Sequence, residues 1–172
     1  MGFGKYNCIV VFNKTKDKIL FCKRMKRPYK GLYNFVGGKL EENETSKEAA
    51  YRELYEESGI GKADIKLIHL MDSTYYPHEF ILEIYTGVLD KDIDLVEELN
   101  PLEWFSVEEN FSDTNRFAGD GNIAHIVRIA LKVLNSWKFL QHYSIYNQVP
   151  LLTFMKLFYT ISRKDNTWIY KK

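Results

Sequence analysis

Three closely spaced glutamates could hold a divalent cation. Glu53, Glu56 and Glu57 stand three and four positions apart, so a helix through them places the carboxylates within an arc of about 100° on one face. Two carboxylates about 6 Å apart repel by about 3 kcal/mol at an effective dielectric constant of 20. No lysine is interleaved on that face to offset the repulsion. A bound cation therefore explains the clustering of the three carboxylates better than a solvated acidic surface does. Oxygen ligands suit Mg²⁺ or Mn²⁺, whose coordination substrate phosphates complete.

A glycine-rich turn precedes these glutamates. Residues 37–39 read Gly-Gly-Lys, and an unhindered backbone of this kind can approach a metal or a phosphate closely. Thr45 and Glu48 form a Thr-x-x-Glu capping box, and Gly59 stands just past the last turn. We therefore predict a helix over 46–58. The turn and the helix together predict a metal and phosphate site.

The spacing of these residues resembles the Nudix box. Gly38 is followed after five residues by Glu44 and after seven more by Arg52-Glu-Leu-Tyr-Glu-Glu-Ser-Gly-Ile60, which fills every fixed position of that motif. The resemblance covers about residues 5–137. It implies that water attacks phosphorus in a nucleoside diphosphate linked to another moiety, with Mg²⁺ or Mn²⁺ as the electrophile and a carboxylate as the base.

The resemblance also implies roles for individual residues. The metal ligands would be the carbonyl of Gly38 and the carboxylates of Glu53, Glu56 and Glu57. Arg52 and Glu44 would form a supporting pair that orients those carboxylates.

Two residues compete for the role of general base. In this family it is either the glutamate at the position of Glu53 or a carboxylate from a distant loop, and Glu98 lies where MutT-like members place such a loop ligand and base. Glu97 and Glu103 compete with Glu98, and a solvated loop acid is the alternative for all three.

Base recognition is expected at two places. Asn34, just before the Gly-Gly turn, resembles the residue that faces the purine in MutT-like hydrolases, and an amide can pair with a purine edge. A local backbone hydrogen bond is the alternative for Asn34. Asp120 and Asn122, near the start of the last helix, are candidates for the same task, and either of them is also expected to cap that helix.

Phosphate and stacking contacts have their own candidates. Lys39 follows the turn directly and is the best phosphate contact, ahead of Lys23 and Arg24. The cations at 26, 27 and 30 are interpreted as a solvated basic loop. Tyr33 and Phe117 could stack on a base, although core packing is the alternative in so aromatic a chain.

The elements that must position these residues predict an α+β fold, a Nudix-type α/β/α sandwich around a central mixed sheet. β-branched and aromatic runs predict strands at 6–12, 18–24, 33–36, 65–71, 80–89 and 101–106. Helical spacing predicts a second helix over 122–137. Residues 1–137 would form the catalytic domain, and 138–172 an aromatic C-terminal extension with a hairpin at 157–162 and 167–170. That extension would complete the core, cap the cleft or pair two chains, and core completion is favoured.

The composition limits the classes of molecule that this protein is expected to bind. The 172 residues carry 24 Lys and Arg against 23 Asp and Glu, a formal net charge of +1, which excludes a bulk nucleic-acid or membrane binder. Cys8 and Cys22 are expected to be reduced core thiols. No secretory signal is recognisable, so we expect a cytoplasmic monomer or homodimer that binds a small nucleotide.

These expectations define a leading hypothesis and two alternatives. The leading one is an Mg²⁺-dependent pyrophosphohydrolase that cleaves a nucleoside triphosphate to a monophosphate and pyrophosphate, with 8-oxo-dGTP and related purines as candidate substrates. The first alternative is hydrolysis of ADP-ribose, a dinucleoside polyphosphate or a nucleotide sugar. A non-catalytic nucleotide-binding module ranks last, because all box carboxylates are retained.

Overall fold

The computed structural model describes the backbone of residues 3–147 and the side chains of residues 3–136. The chain divides into two compact units, Met1–Ala130 and Leu131–Lys172. The predicted hairpin at 157–162 and 167–170 lies outside the described residues. Over the described part of the chain, no helix is both long enough and apolar enough to cross a membrane.

The first unit is built on a mixed six-stranded sheet, which confirms the predicted α+β class. Its elements are β1 (Gly4–Phe12), β2 (Lys18–Lys23), β3 (Tyr33–Asn34), α1 (Ser46–Ser58), β4 (Ile68–Tyr75), β5 (Phe80–Val88), β6 (Leu102–Ser106) and the start of α2 (Asn122–Asn147). Two 3₁₀ turns, Tyr76–His78 and Gly119–Gly121, precede β5 and α2.

The sheet combines both strand orientations. Its order is β3-β2-β1-β5-β4, and β6 pairs with β2. β1 runs parallel to β5 over its whole length, whereas the other pairs are antiparallel. β1 is therefore a central strand, and its N-terminal half carries residues toward the glycine turn, since Tyr6 pairs with Lys39 and Ile9 with Val36.

Helix α1 begins and ends where its sequence predicts. Thr45 Oγ1 accepts a hydrogen bond from the Glu48 backbone, and the Glu48 side chain accepts one from Thr45 N at 2.9 Å. Gly59 ends the helix in the left-handed conformation (φ 75°), donating its N–H to the Tyr55 carbonyl at 2.8 Å. Ala49, Ala50, Leu54 and Ser58 form the buried face. These contacts fix the rotation of the helix about its axis.

The sheet has packed faces on both sides. Leu20 and Cys22 pack in one cluster with Ile9 and Leu54, and Phe21, which alternates with them, points to the other face. There Phe21 contacts four aromatic rings at centroid distances of 4.9–5.4 Å, those of Phe35, Phe105, Phe111 and Phe117. Phe117 is 2% exposed, so it packs in the core and is not available to stack on a base.

Two predicted boundaries differ most from the structure. β4 spans Ile68–Tyr75 instead of 65–71, and Ile65 makes an isolated bridge to Leu89. Helix α2 continues through Asn147 instead of ending at Trp137. Neither glycine nor proline occurs between Gly121 and Pro150, so the sequence offers no stop signal there.

Candidate active site

The Gly37-Gly38 turn lies against the carboxylates of α1. Gly37 N donates a hydrogen bond to Glu57 Oε2 at 2.9 Å. A β-carbon on Gly38 would overlap the carboxylate of Glu53, and one on Gly37 (φ 142°) would overlap the backbone of Asn7. Both glycines are therefore needed to bring the backbone into contact with Glu53 and Glu57.

Asn7 on β1 anchors this turn from the other side. Its N–H donates to the Gly38 carbonyl at 2.8 Å, and its Oδ1 accepts a longer bond from Gly38 N at 3.4 Å. Asn7 is 3% exposed, and its Nδ2 has no partner among the described side chains. This residue was not predicted from the sequence, although a lone amide just before an apolar run is a signal that could have identified it.

Arg52 connects the acidic residues to one another. Its Nε and Nη2 donate to the two carboxylate oxygens of Glu44 at 3.1 and 2.8 Å, and Nη2 also donates to the Lys39 carbonyl at 3.2 Å. Its Nη1 donates to Glu53 Oε1 at 2.9 Å and to Glu56 Oε2 at 3.1 Å. The guanidinium holds the pKa of Glu44 below its usual range and sets the spacing of the Glu53 and Glu56 carboxylates.

Glu57 is held by a second amide that was not predicted from the sequence. Asn100 Nδ2 donates to Glu57 Oε1 at 3.2 Å, while Asn100 Oδ1 accepts from Met25 N at 3.0 Å. Together with the bond from Gly37, both carboxylate oxygens of Glu57 are occupied. The Asn-Pro dipeptide at 100–101, just before a strand, was the available signal.

The loop glutamates do not join this group. Glu98 is exposed, and in the described part of the chain no hydrogen bond or ion pair links it to the other candidate residues. Glu97 Oε1 accepts from Leu102 N at 2.8 Å, and Glu103 Oε2 accepts from Tyr33 Oη at 2.5 Å. Glu97 and Glu103 thus have structural partners, and Asn100 is the residue of this loop that contacts a box carboxylate.

The chemistry of the donor set fits a hard divalent cation. Burial raises the pKa of Glu53 and of Glu57, because desolvation disfavours the charged carboxylate. A cation would offset that cost, and carboxylate and carbonyl oxygens are the ligands that Mg²⁺ and Mn²⁺ prefer. Glu56 is more exposed, at 49% of its side chain. The residues that would hold the ion are the Gly38 carbonyl, Glu53, Glu56 and Glu57.

The predicted phosphate contacts surround the glycine turn and β2. Lys39 and Lys23 are exposed, and Lys23 Nζ lies 5.6 Å from the centre of the Tyr33 ring. Arg24 is partly buried, and its Nε has no partner among the described residues. Its positive charge opposes the rise in the pKa of Glu57. Arg24 is therefore the cation of this group that acts on a box carboxylate.

Asn34 makes a local hydrogen bond to the backbone, which was the alternative to base recognition. Its Oδ1 accepts a hydrogen bond from Phe35 N at 2.9 Å. The side chain is partly buried, and its Nδ2 donates no hydrogen bond within the described residues. Among the described residues, the amide nitrogen thus has no partner of its own and is available to a ligand.

Asp120 and Asn122 contact two tyrosines instead of capping α2. Tyr29 Oη donates to Asp120 Oδ2 at 3.3 Å, and Asn122 Nδ2 donates to Tyr75 Oη at 3.2 Å. These are two separate hydrogen-bonded pairs, and burial and the nearby Asp120 charge raise the pKa of both tyrosines. Asp120 has a left-handed backbone (φ 51°), so the backbone is not helical just before α2 begins.

Comparison with known proteins identifies the family. A sequence model of the NUDIX domain matches residues 5–126, and the chain belongs to the Nudix family. This confirms the resemblance carried by the box.

The names of individual relatives give different substrates. The chain is 30% identical over 118 residues to an NAD-capped RNA hydrolase of Schizosaccharomyces pombe, covering 66% of this chain and 30% of that protein. It is 37% identical over 71 residues to an 8-oxo-dGTP diphosphatase of Proteus vulgaris, covering 41% of this chain and 59% of that protein. The chain thus spans less than two thirds of either curated relative.

A solved structure agrees on the fold. A MutT structure from work on Aliivibrio salmonicida and Vibrio cholerae matches with a TM-score of 0.58 and 19% identity, covering 75% of this chain and 98% of that one. At that identity the match supports the fold alone.

Proposed function

We propose that this protein is a metal-dependent hydrolase that cleaves a pyrophosphate bond of a nucleoside triphosphate by water attack on phosphorus, releasing a monophosphate and pyrophosphate. The observation that carries the proposal is the contact of the Gly37-Gly38 turn with Glu53 and Glu57. Two desolvated carboxylates lie beside backbone groups, Glu53 held by Arg52 and Glu57 held by Asn100, and this arrangement suits a cation with its substrate phosphates.

The ion would be held by the Gly38 carbonyl and by Glu53, Glu56 and Glu57. When bound, a divalent cation neutralises charge on the transferring phosphoryl group and lowers the pKa of a coordinated water. Arg52 positions Glu53 and Glu56 through one nitrogen, and its own place is fixed by Glu44. These residues therefore orient the carboxylates before substrate binds.

Glu53 is the better-placed general base of the two candidates. Its carboxylate lies against the glycine turn, beside the oxygens that would hold the ion, so a water bound there would be within its reach. Glu98 is exposed on its loop, and no hydrogen bond among the described residues links it to the box. Replacing Glu98 by Gln is expected to lower kcat less than replacing Glu53 does.

The substrate would extend from the turn toward the tyrosines. Lys39, Lys23 and Arg24 would neutralise phosphate charge. Asn34 Nδ2 and the group of Asp120 and Asn122 would contact a purine, for which the name of the Proteus relative offers one precedent, 8-oxo-dGTP. The name of the yeast relative offers another, a nucleotide attached to RNA.

Pyrophosphate release over a panel of nucleotides in Mg²⁺ tests this proposal. We expect purine triphosphates to be cleaved, and Glu53→Gln and Glu57→Gln to lower turnover by at least about 100-fold without unfolding the protein. Glu42→Gln, on the exposed approach to α1, is the matched control. If every triphosphate is left intact while ADP-ribose, a dinucleoside polyphosphate or a nucleotide sugar is cleaved, the triphosphate is the wrong substrate class and one of these compounds takes its place. Near-normal rates for both variants would refute the metal site.

A further inference from the structure

A cluster of cations lies beside the candidate site. Residues 23–30, here called the basic loop, read Lys-Arg-Met-Lys-Arg-Pro-Tyr-Lys, and no acidic residue occurs between Lys23 and Glu41. Ion pairs form at other cations, such as Arg52 and Lys91, but within the described residues none involves a cation of this loop. A chain of net charge +1 therefore presents one locally positive surface.

The basic loop is closed and is tied directly to the box. Arg24 N donates to the Leu32 carbonyl at 2.9 Å, and Gly31 N donates to the Arg24 carbonyl at 2.7 Å. At its start, Met25 N donates to Asn100, whose amide also donates to Glu57. One side chain thus connects the backbone at the start of the loop to a proposed metal ligand, so the basic loop adjoins the site.

The basic loop carries exposed apolar surface among its cations. Tyr29 is 36% exposed, with its hydroxyl bonded to Asp120, and Met25 is 46% exposed. Cations interleaved with an accessible ring are typical of surfaces that bind single-stranded nucleic acid, where the ring stacks on a base and the cations follow the backbone.

We infer that the basic loop binds the sugar-phosphate backbone of a single-stranded oligonucleotide whose 5′-triphosphate enters the site. The inference rests on the proposed function, which supplies the bond that is cleaved. A free nucleoside triphosphate is met by Lys23, Arg24 and Lys39 and has no phosphate left for the cations at 26, 27 and 30. An oligonucleotide supplies one more phosphate with each nucleotide, and it is the complementary partner for those charges.

Fluorescence anisotropy measures this binding without relying on hydrolysis. The probes are RNA and DNA single strands of about 12 nucleotides, within the range that single-strand sites cover, each with a 5′-triphosphate and a 3′ dye. The test variant is Lys26→Gln/Arg27→Gln/Lys30→Gln in the full chain. The control variant is Lys14→Gln/Lys16→Gln/Lys18→Gln, which removes the same charge over the same sequence span at the opposite end of β2. Kd is measured between 50 and 200 mM salt.

The expected result follows from counterion release. Each single-strand phosphate contact contributes about 0.7 to the slope of log affinity against log salt, so losing three contacts flattens the slope by about 2. Over that fourfold range of salt the wild-type protein then loses about 20-fold more affinity than the test variant. The control variant keeps the wild-type slope. A preference between RNA and DNA identifies the polymer.

Hydrolysis separates this inference from the proposed function. The ratio of kcat/KM for the oligonucleotide to that for the matching nucleoside triphosphate is expected to fall about tenfold in the test variant and to stay constant in the control. Absence of wild-type binding at 50 mM salt, an unchanged slope in the test variant, or an equal loss in both variants overturns the inference. Inactivity on both substrates contradicts the proposed function instead, and the anisotropy result still decides the basic loop.

Discussion

Replacing Gly38 by Ala separates catalysis from folding at the glycine turn. The added β-carbon overlaps the carboxylate of Glu53 and meets no main-chain atom more closely. Gly38 does not have a positive φ, so alanine adopts its backbone without strain. The carboxylate, which ends a flexible side chain, is therefore the group that must move.

The size of that movement sets the expected loss. Ordinary van der Waals contact begins at 3.4 Å, so the Glu53 carboxylate must retreat by about 1 Å, a displacement that can cost about 100-fold in rate at a reacting centre. That factor equals about 2.7 kcal/mol of barrier. We expect kcat/KM for a purine triphosphate to fall by about this factor and the midpoint for Mg²⁺ activation to rise. The free energy of unfolding should change by less than about 1 kcal/mol.

Steady-state kinetics over a range of Mg²⁺ and a urea melt make the comparison. Gly61→Ala is the control, because its β-carbon would lie in ordinary contact, 3.6 Å from Asp64. Gly37→Ala is the opposite case, since its φ of 142° and the Asn7 backbone predict loss of stability. A Gly38→Ala protein with kcat/KM within threefold of wild type would refute the reasoning, as would a loss of activity that only accompanies unfolding.

Four further changes follow from the same contacts. Asn100→Leu removes both bonds of its amide and should lower kcat about tenfold with a stability loss of about 1–3 kcal/mol, measured by kinetics and urea melts. Asn34→Ala should raise KM for purine more than for pyrimidine triphosphates, and equal changes would leave Asn34 as a turn residue. Glu48→Ala should lower the melting temperature at pH 7; because the capping bonds lower the pKa of Glu48, the wild-type advantage is present above the ordinary pKa of about 4.5 and disappears as the pH falls below it. Mg²⁺ at ten times its Kd should stabilise the wild-type protein by about 1.4 kcal/mol but not Glu57→Gln, as a thermal shift assay would show.

Sequence alone predicted the features that depend on local rules. The limits of α1 follow from Thr45, Glu48 and Gly59, each of which acts within one helical turn of its own position. The Arg52 and Glu44 side chains, placed together by resemblance to the box, form a bidentate ion pair in the structure.

Contacts set by strand pairing or by loop closure could not be predicted in the same way. Asn7 reaches the turn because β1 pairs with residues near 36–39. The sequence around Asn7 does not predict that pairing. Asn100 reaches Glu57 from a loop in which Glu98, and not Asn100, was the predicted site residue. Phe117 is buried because several distant rings surround it.

Both missed residues are amides, and their neutrality suits their positions. Asn100 stands between the Glu57 carboxylate and the backbone that begins the basic loop, and Asn7 stands beneath the turn that covers Glu53. A lysine at 100 would compete with a divalent ion for Glu57, and an aspartate would add repulsion between carboxylates, which costs about 4 kcal/mol at 4 Å and an effective dielectric constant of 20. An amide donates and accepts without changing the local charge, so it can hold a metal ligand in place and leave the ligand's charge for the ion. Asn100→Asp should therefore lower activity more than Asn100→Leu at neutral pH, although aspartate is closer in shape.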